Sequence, residues 1–167
     1  MNYRKEVFGL TKVHERLYVG SERDCFHYRL EWAVVHACKH PCHVNAVGYK
    51  GSLPKDHPDY LSLERGDNLY LNIVDPDIPL FMPQTFVDFM TFTRKHYNED
   101  KNLLIHCNLG ESRAPSLALL FMAKGLHVIS DGSYEEAQSE FQKSYPGYTP
   151  SKGISRYFTE NWNELGE

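Results

Sequence analysis

The stretch that decides the fold is "LLIHCNLGESRAPSLALLFMA", residues 103–123. It begins as a strand and ends as a helix. Leu103, Leu104 and Ile105 are consecutive apolar residues, the mark of a strand buried on both faces. His106 and Cys107 follow, then a polar stretch carrying Gly110, and helix formers run on from Arg113. This pattern predicts a strand over 102–106 and a helix over 113–124, apolar on nearly all sides and therefore central. A loop between a strand end and a helix start presents backbone N–H groups and the positive end of the helix dipole, so it makes an anion site. A cysteine in such a loop has its thiolate favoured and becomes a nucleophile. Arg113 can fold its planar guanidinium over the same loop and grip two phosphate oxygens. Thiolate, amides and arginine would then converge on one phosphate, with sulfur attacking phosphorus.

Working outward, strands and helices alternate. "RLYVGS" (16–21) reads as a strand, 22–32 as a short helix, and "AVVHAC" (33–38) as a buried strand. Residues 39–67 have no clear period and predict a long loop, with one helical turn near "DYLSLE" (59–64). "NLYLNIV" (68–74) is a strand that runs into "DPDIPLFMP", where three prolines and two aspartates enforce an extended loop. Helix 83–97 places Phe86, Phe89, Met90, Thr93 and Tyr97 on one face. Two further helices fit 134–145 (Tyr134, Ala137, Phe141, Tyr145) and 153–165 (Ile154, Tyr157, Phe158, Trp162, Leu165). The expected fold is α/β: a central, mostly parallel sheet flanked by helices, with ligands at the carboxyl ends of the strands. Cys107 sits at such an end.

Composition narrows the partners. A chain of 167 residues is one domain's worth, expected here as a single domain over 1–167. The net charge of −4, with no basic run, argues against a nucleic-acid surface. "MNYRKEVFGL" lacks the apolar core of an export signal, and no apolar stretch is long enough to span a bilayer. Four cysteines, Cys25, Cys38, Cys42 and Cys107, then read as reduced thiols of a cytoplasmic protein, expected to be a monomer.

Cysteine six residues before arginine is a weak signal alone. Its context is stronger: Gly110 mid-loop, His106 before the cysteine, and Pro115 in the first helical turn, where proline is tolerated. "HCNLGESR" resembles the His-Cys-five residues-Arg loop of the protein tyrosine phosphatase superfamily. Length and layout resemble its compact dual-specificity branch. "ERLYVGS" with "AVVHACK" is similar to that branch's opening strands, and "SYEEAQSEFQKSYPGYTPSKGISRYF" resembles its closing helices. "HCNLGESRAPS" looks most like small phosphatases of bacterial and phage type.

The resemblance implies hydrolysis of phosphomonoesters through a phosphocysteine, without metal or other cofactor. Cys107 would be the nucleophile and Arg113 the phosphate clamp. Backbone amides across Asn108, Leu109, Gly110, Glu111, Ser112 and Arg113 would bind phosphate, and His106 would tune the thiolate. It also implies a general acid about thirty residues earlier, where Asp75 stands, with Asp77 as competitor. Substrates would be phosphorylated proteins or peptides, phosphotyrosine first, with some phosphoserine or phosphothreonine. A phosphatase of a non-protein substrate such as a phosphoglucan, or a weakly catalytic phosphoprotein-binding module, is the alternative. Glu111 and the absence of lysines from the loop speak against highly charged inositol phosphates.

Two features depart from this pattern. The family usually carries Ser or Thr directly after the arginine, to stabilise the departing sulfur; here stands Ala114, with Ser112 or Ser116 as the available hydroxyls. "HACKHPCH" gathers His36, Cys38, His40, Cys42 and His43, which could bind zinc although the spacing matches no established finger. The reading adopted packs Cys38 in its strand and places the histidines around the pocket rim. Cys38 or Cys25 could alternatively form a protective disulfide with Cys107. His43, Tyr49, Lys50 and Lys55 are candidates for substrate selection.

Overall fold

The computed structural model describes residues 9–166. The N-terminal stretch read for an export signal therefore lies, apart from Gly9 and Leu10, outside the described residues. Six strands form one sheet: β1 (Thr11–His14), β2 (Leu17–Gly20), β3 (Trp32–His36), β4 (Ser62–Arg65), β5 (Asn68–Leu71) and β6 (Asn102–His106). Their spatial order is β1-β2-β6-β3-β5-β4. The pairs β2–β6, β6–β3 and β3–β5 are parallel, while β1 and β4 pair antiparallel with β2 and β5 at the two edges. In register, Gly20 and His36 both lie opposite His106, so three parallel strands end level with one another. Cys107 leaves the sheet from the middle of that row.

The helices are α1 (Val44–Val47), α2 (Pro83–Asn98), α3 (Arg113–Leu120), α4 (Tyr134–Ser144) and α5 (Lys152–Asn161). Side chains alternate across a strand, and β6 shows the consequence. Leu103, Ile105 and Cys107 enter the main core with Phe86, Phe89, Phe92, Leu117, Phe121, Phe141 and Phe158 from α2 to α5. Leu104 faces the other way, onto Val34 and Leu10. The seven residues of α3 after Arg113 are all buried. Full burial of one large apolar side chain contributes about 1.5–3 kcal/mol, so Leu117, Leu119 and Leu120 alone hold the helix firmly beneath the loop that precedes it. Among the described residues no helix is long and apolar enough to cross a membrane.

The expected α/β architecture is present, with corrections in its irregular parts. Residues 22–32 form only one tight turn, Glu22–Asp24, because Ser21 and Asp24 cap each other and Cys25 returns to extended backbone. The predicted loop 39–67 carries a wide turn at Lys39–His43, helix α1, and a strand where one helical turn was expected. Leu63 of that strand pairs with Tyr70, so cross-strand pairing overrides local propensity. β1 was not anticipated, β5 ends at Leu71 rather than 74, and α5 ends at Asn161 rather than 165. Helix 113–124 is α-helical to Leu120 and closes in a wider turn over Phe121–Gly125.

Candidate active site

The loop between β6 and α3 wraps around the Cys107 sulfur. The Gly110 amide donates to Sγ at 3.3 Å. Gly110 has φ of +75°, and a Cβ there would stand 3.0 Å from the Gly20 carbonyl oxygen. Only glycine meets both demands, left-handed backbone and close approach to β2. The Gly110 carbonyl in turn accepts from the Tyr145 hydroxyl, whose pKa burial pushes up to about 12. Cys107 is 2% exposed, reachable through a small cavity of about 170 Å³. Asp75, Asn108, Leu109, Glu111, Ser112, Arg113, Thr149 and Ser151 share its lining.

Arg113 is held by two of its three nitrogens. One terminal nitrogen donates to the Ile73 carbonyl at 3.1 Å and the other to Asn108 Oδ1 at 2.6 Å. Nε is buried without a hydrogen-bond partner. An orphaned donor on a charged group is costly, and an anion in the cavity would satisfy it. Asn108 is fixed from the far side, its Nδ2 donating to Glu22 Oε2 and to the His40 carbonyl, each at 2.9 Å. The sequence reading assigned Asn108 only a backbone amide; its side chain is the brace that orients the guanidinium.

Asp75 reaches the same loop. Ser112 donates its hydroxyl to Asp75 Oδ1 at 2.9 Å and accepts from the Ser151 amide at 2.9 Å. The start of α5 packs against the acid loop so closely that a Cβ on Gly153 would lie 2.3 Å from the Pro76 carbonyl oxygen. Asp77 is exposed and does not line the cavity. Ser116 is buried and hydrogen-bonded to the Tyr148 hydroxyl at 2.7 Å. Ser112 and Ser116 therefore commit their hydroxyls to Asp75 and Tyr148.

No protein-family model matches the sequence, and no curated protein matches it either. Solved structures do. The human tyrosine phosphatase-like serine/threonine/tyrosine-interacting protein superposes with a TM-score of 0.65 at 16% identity, covering 93% of this chain and 96% of that one. The PTP-2 phosphatase of Cydia pomonella gives 0.63 at 19%, covering 93% and 91%. Human DUSP28 gives 0.60 at 13%, covering 93% of each. The fold is that of the compact dual-specificity phosphatases. At these identities the likeness is one of architecture, and in this dual-specificity phosphatase fold the loop between β6 and α3 lies where the carboxyl ends of the parallel strands meet.

The remaining predicted residues lie elsewhere. His36 and His43 are fully buried, His40 is exposed, and none of them rims the Cys107 cavity. His43 instead binds the Tyr49 hydroxyl at 3.0 Å and the Asp59 carbonyl at 2.8 Å, and burial lowers its pKa. Lys50 and Lys55 do not line the cavity either; Thr149 and Ser151, which the sequence reading did not single out, do. His106 turns its ring away from Cys107 Sγ and contacts that residue only at its carbonyl oxygen, 3.3 Å from Nδ1.

The His106 ring belongs to a second cluster with Cys25, His36 and Cys42. Burial opposes its imidazolium, but the hydrogen bond and charge of Cys25 raise its pKa above the ordinary value. Contacts to Cys42 first, then His106 and His36, hold the Cys25 thiol far below its usual range although burial pushes it up. Cys38 is held down to about 7, chiefly by its hydrogen bond to Cys42. Cys25 and Cys38 thus engage Cys42. This cluster is the largest feature that spacing in the sequence concealed.

Proposed function

We propose that this chain is a cysteine-dependent phosphatase that hydrolyses phosphomonoesters, phosphotyrosine before phosphoserine or phosphothreonine. One observation carries the reading: Cys107, Arg113 and Asp75 line one small cavity at the end of the central strand. In the first step the Cys107 thiolate attacks phosphorus and the P–O bond to the alcohol or phenol breaks. Asp75 delivers its proton to the departing oxygen. Ser112 occupies Oδ1, so Oδ2 is the oxygen that carries it. Arg113 and the loop amides hold the three non-bridging oxygens and stabilise the charge they gain. In the second step water attacks the phosphocysteine, gives its proton to Asp75, and the S–P bond breaks to release phosphate and thiolate.

Leu109, exposed at the cavity edge, offers an apolar contact to a phenyl ring, and Glu111 beside it disfavours polyanions. Both support a phosphotyrosyl substrate over an inositol polyphosphate. A panel of phosphopeptides, phosphoglucan, inositol phosphates and an aryl phosphate, run beside Cys107→Ser, tests the reading. Preference for phosphotyrosyl peptides, lost in the variant, is expected. Turnover retained by Cys107→Ser would overturn the phosphocysteine route, and a phosphoglucan preference would overturn the substrate.

A further inference from the structure

Four side chains from four separate segments meet behind β6, on the sheet face away from the Cys107 sulfur. Cys25 follows the turn after β2, His36 ends β3, Cys42 precedes α1, and His106 ends β6. One ligand atom from each lies within 4.8 Å of every other. His36 Nδ1 is 3.5 Å from Cys25 Sγ and 2.8 Å from His106 Nε2, which is 4.0 Å from Cys42 Sγ. Tetrahedral zinc, with Zn–N near 2.0 Å and Zn–S near 2.3 Å, separates its donor atoms by roughly 3.3–3.8 Å. Small rotations of these side chains reach that geometry.

The outer partners determine which nitrogens face inward. Asn68 donates its amide to the His27 carbonyl at 2.7 Å, so its Oδ1 is turned to His36 Nε2 at 2.9 Å and accepts a hydrogen bond from it. His36 Nδ1 is then unprotonated. His106 Nδ1 faces the Cys107 carbonyl, which only accepts, so Nδ1 carries a proton and Nε2 is the nitrogen turned toward His36 Nδ1. Two imidazole nitrogens thus meet at 2.8 Å in a buried setting, beside the sulfurs of Cys25 and Cys42. Such a contact accommodates one cation between the two nitrogens, a proton or a metal ion. Both histidines also show the outer hydrogen bond from the non-ligating nitrogen that metal-bound imidazoles make.

We propose that Cys25, His36, Cys42 and His106 form a structural zinc site. Two thiolates and two neutral imidazoles match a four-coordinate zinc ion in charge and softness, which leaves the buried centre neutral. Binding releases to solvent whatever protons the two sulfurs and the two ligating nitrogens carry, with no redox change. A cavity of about 610 Å³ lined by Cys25 and Cys42 gives the ion a path inward. The site differs from the cluster that spacing suggests, because His40 and His43 take no part. It ties β3, β6 and the two irregular segments that cover this face. His106 becomes a positioning residue for the phosphate loop, acting through the backbone of Cys107. The proposal is independent of the phosphatase reading, and its test reads metal rather than turnover.

The experiment uses untagged full-length chain produced with zinc supplied, and measures metal content and free thiols. It then replaces the metal with cobalt and records the visible spectrum. One zinc per chain is expected, and the cobalt form should show tetrahedral ligand-field bands with thiolate-to-metal charge transfer. His40→Ala should keep the full content, while Cys25→Ser combined with Cys42→Ser should lose it. The wild-type measurements stand even where the double variant fails to fold. Substoichiometric metal with no cobalt bands would overturn the site, as would full metal content in the double variant. Two thiols missing until reductant is added would mean a Cys25–Cys42 disulfide and would overturn it equally.

Discussion

His106 and Cys107 are bonded neighbours, yet the end of β6 sends them to opposite faces of the sheet and into two different regions. Cys107 enters a cavity built mainly by one continuous loop, with Arg113 six residues on and Asp75, Thr149 and Ser151 as the distant contributors. His106 enters a cluster whose other members lie 64, 70 and 81 residues away in sequence (106 − 42, 106 − 36, 106 − 25). The first region keeps an unpaired guanidinium nitrogen and an exposed carboxyl, groups held ready at a cost in stability. The second is buried, and its polar atoms face one another. Substitutions in the phosphate loop should therefore remove chemistry and spare stability, and those around the cluster should remove stability first.

The sharpest separation comes from Cys107→Ser. Loss of a covalent nucleophile costs on the order of 10⁴–10⁶ in turnover, whereas the melting temperature should hold. Phosphate or vanadate should still bind, because Arg113 and the amides remain. Rate assays, a thermal melt and calorimetric titration read these three outcomes, and a collapsed melting temperature would break the comparison.

Asp75→Asn comes next. It should lower turnover of phenyl phosphate by about 10²–10⁴ and that of an aryl phosphate with a good leaving group far less, since a good leaving group departs without a proton. Asp77→Asn should change neither rate. If the two variants exchange behaviour, the acid is Asp77.

Ala114→Ser should move activity upward. A hydroxyl there would donate to the Cys107 sulfur as it regains charge, and a hydrogen bond to a charged group contributes about 1.5–3 kcal/mol. Because Ser112 and Ser116 are committed to Asp75 and Tyr148, phosphocysteine breakdown should limit the wild type. Stopped-flow traces should show a burst equal to the enzyme, followed by a slow phase that quickens about tenfold or more in the variant. A wild type without a burst would mean another donor serves the sulfur.

On the cluster side, Asn68→Ala removes the acceptor of His36 and the donor to the His27 carbonyl. Chemical denaturation should show a loss of about 1–3 kcal/mol. An unchanged denaturation midpoint would remove the distinction between the two regions.

The smallest effect is expected at His96, remote from both. Burial first, and Lys101 and Lys95 next to it, lower its pKa, against the opposing pull of Glu99 and Asp67. The unfolded chain then binds the proton more readily. This residue should therefore cost stability as pH falls below its ordinary value near 6.5, and nothing above it. The slope is at most about 1.4 kcal/mol per pH unit for one proton. Denaturation of His96→Gln between pH 7 and 5 should show a flatter profile than the wild type.

What was readable in the sequence is what short-range physics sets. Three apolar residues before Cys107 announce a buried strand, Gly110 announces left-handed backbone, and the run after Arg113 announces a buried helix. The distance from Cys107 to Arg113 is set within one loop, so spacing alone could reveal it. Asp75 was placed, and preferred over Asp77, by resemblance; its hydrogen bond from the Ser112 hydroxyl, a contact across 37 residues, was not legible in the spacing. The turn at Glu22–Asp24 and strand β4 were misread because their conformations depend on a reciprocal cap and on a partner strand. "HACKHPCH" showed that thiols and imidazoles were abundant, but not which would meet. A strand turns alternate side chains to opposite faces, and parallel register brings Gly20, His36 and His106 level. That register joined His36 to His106 and left His40 outside, because strand pairing, not sequence distance, decides which side chains share a face.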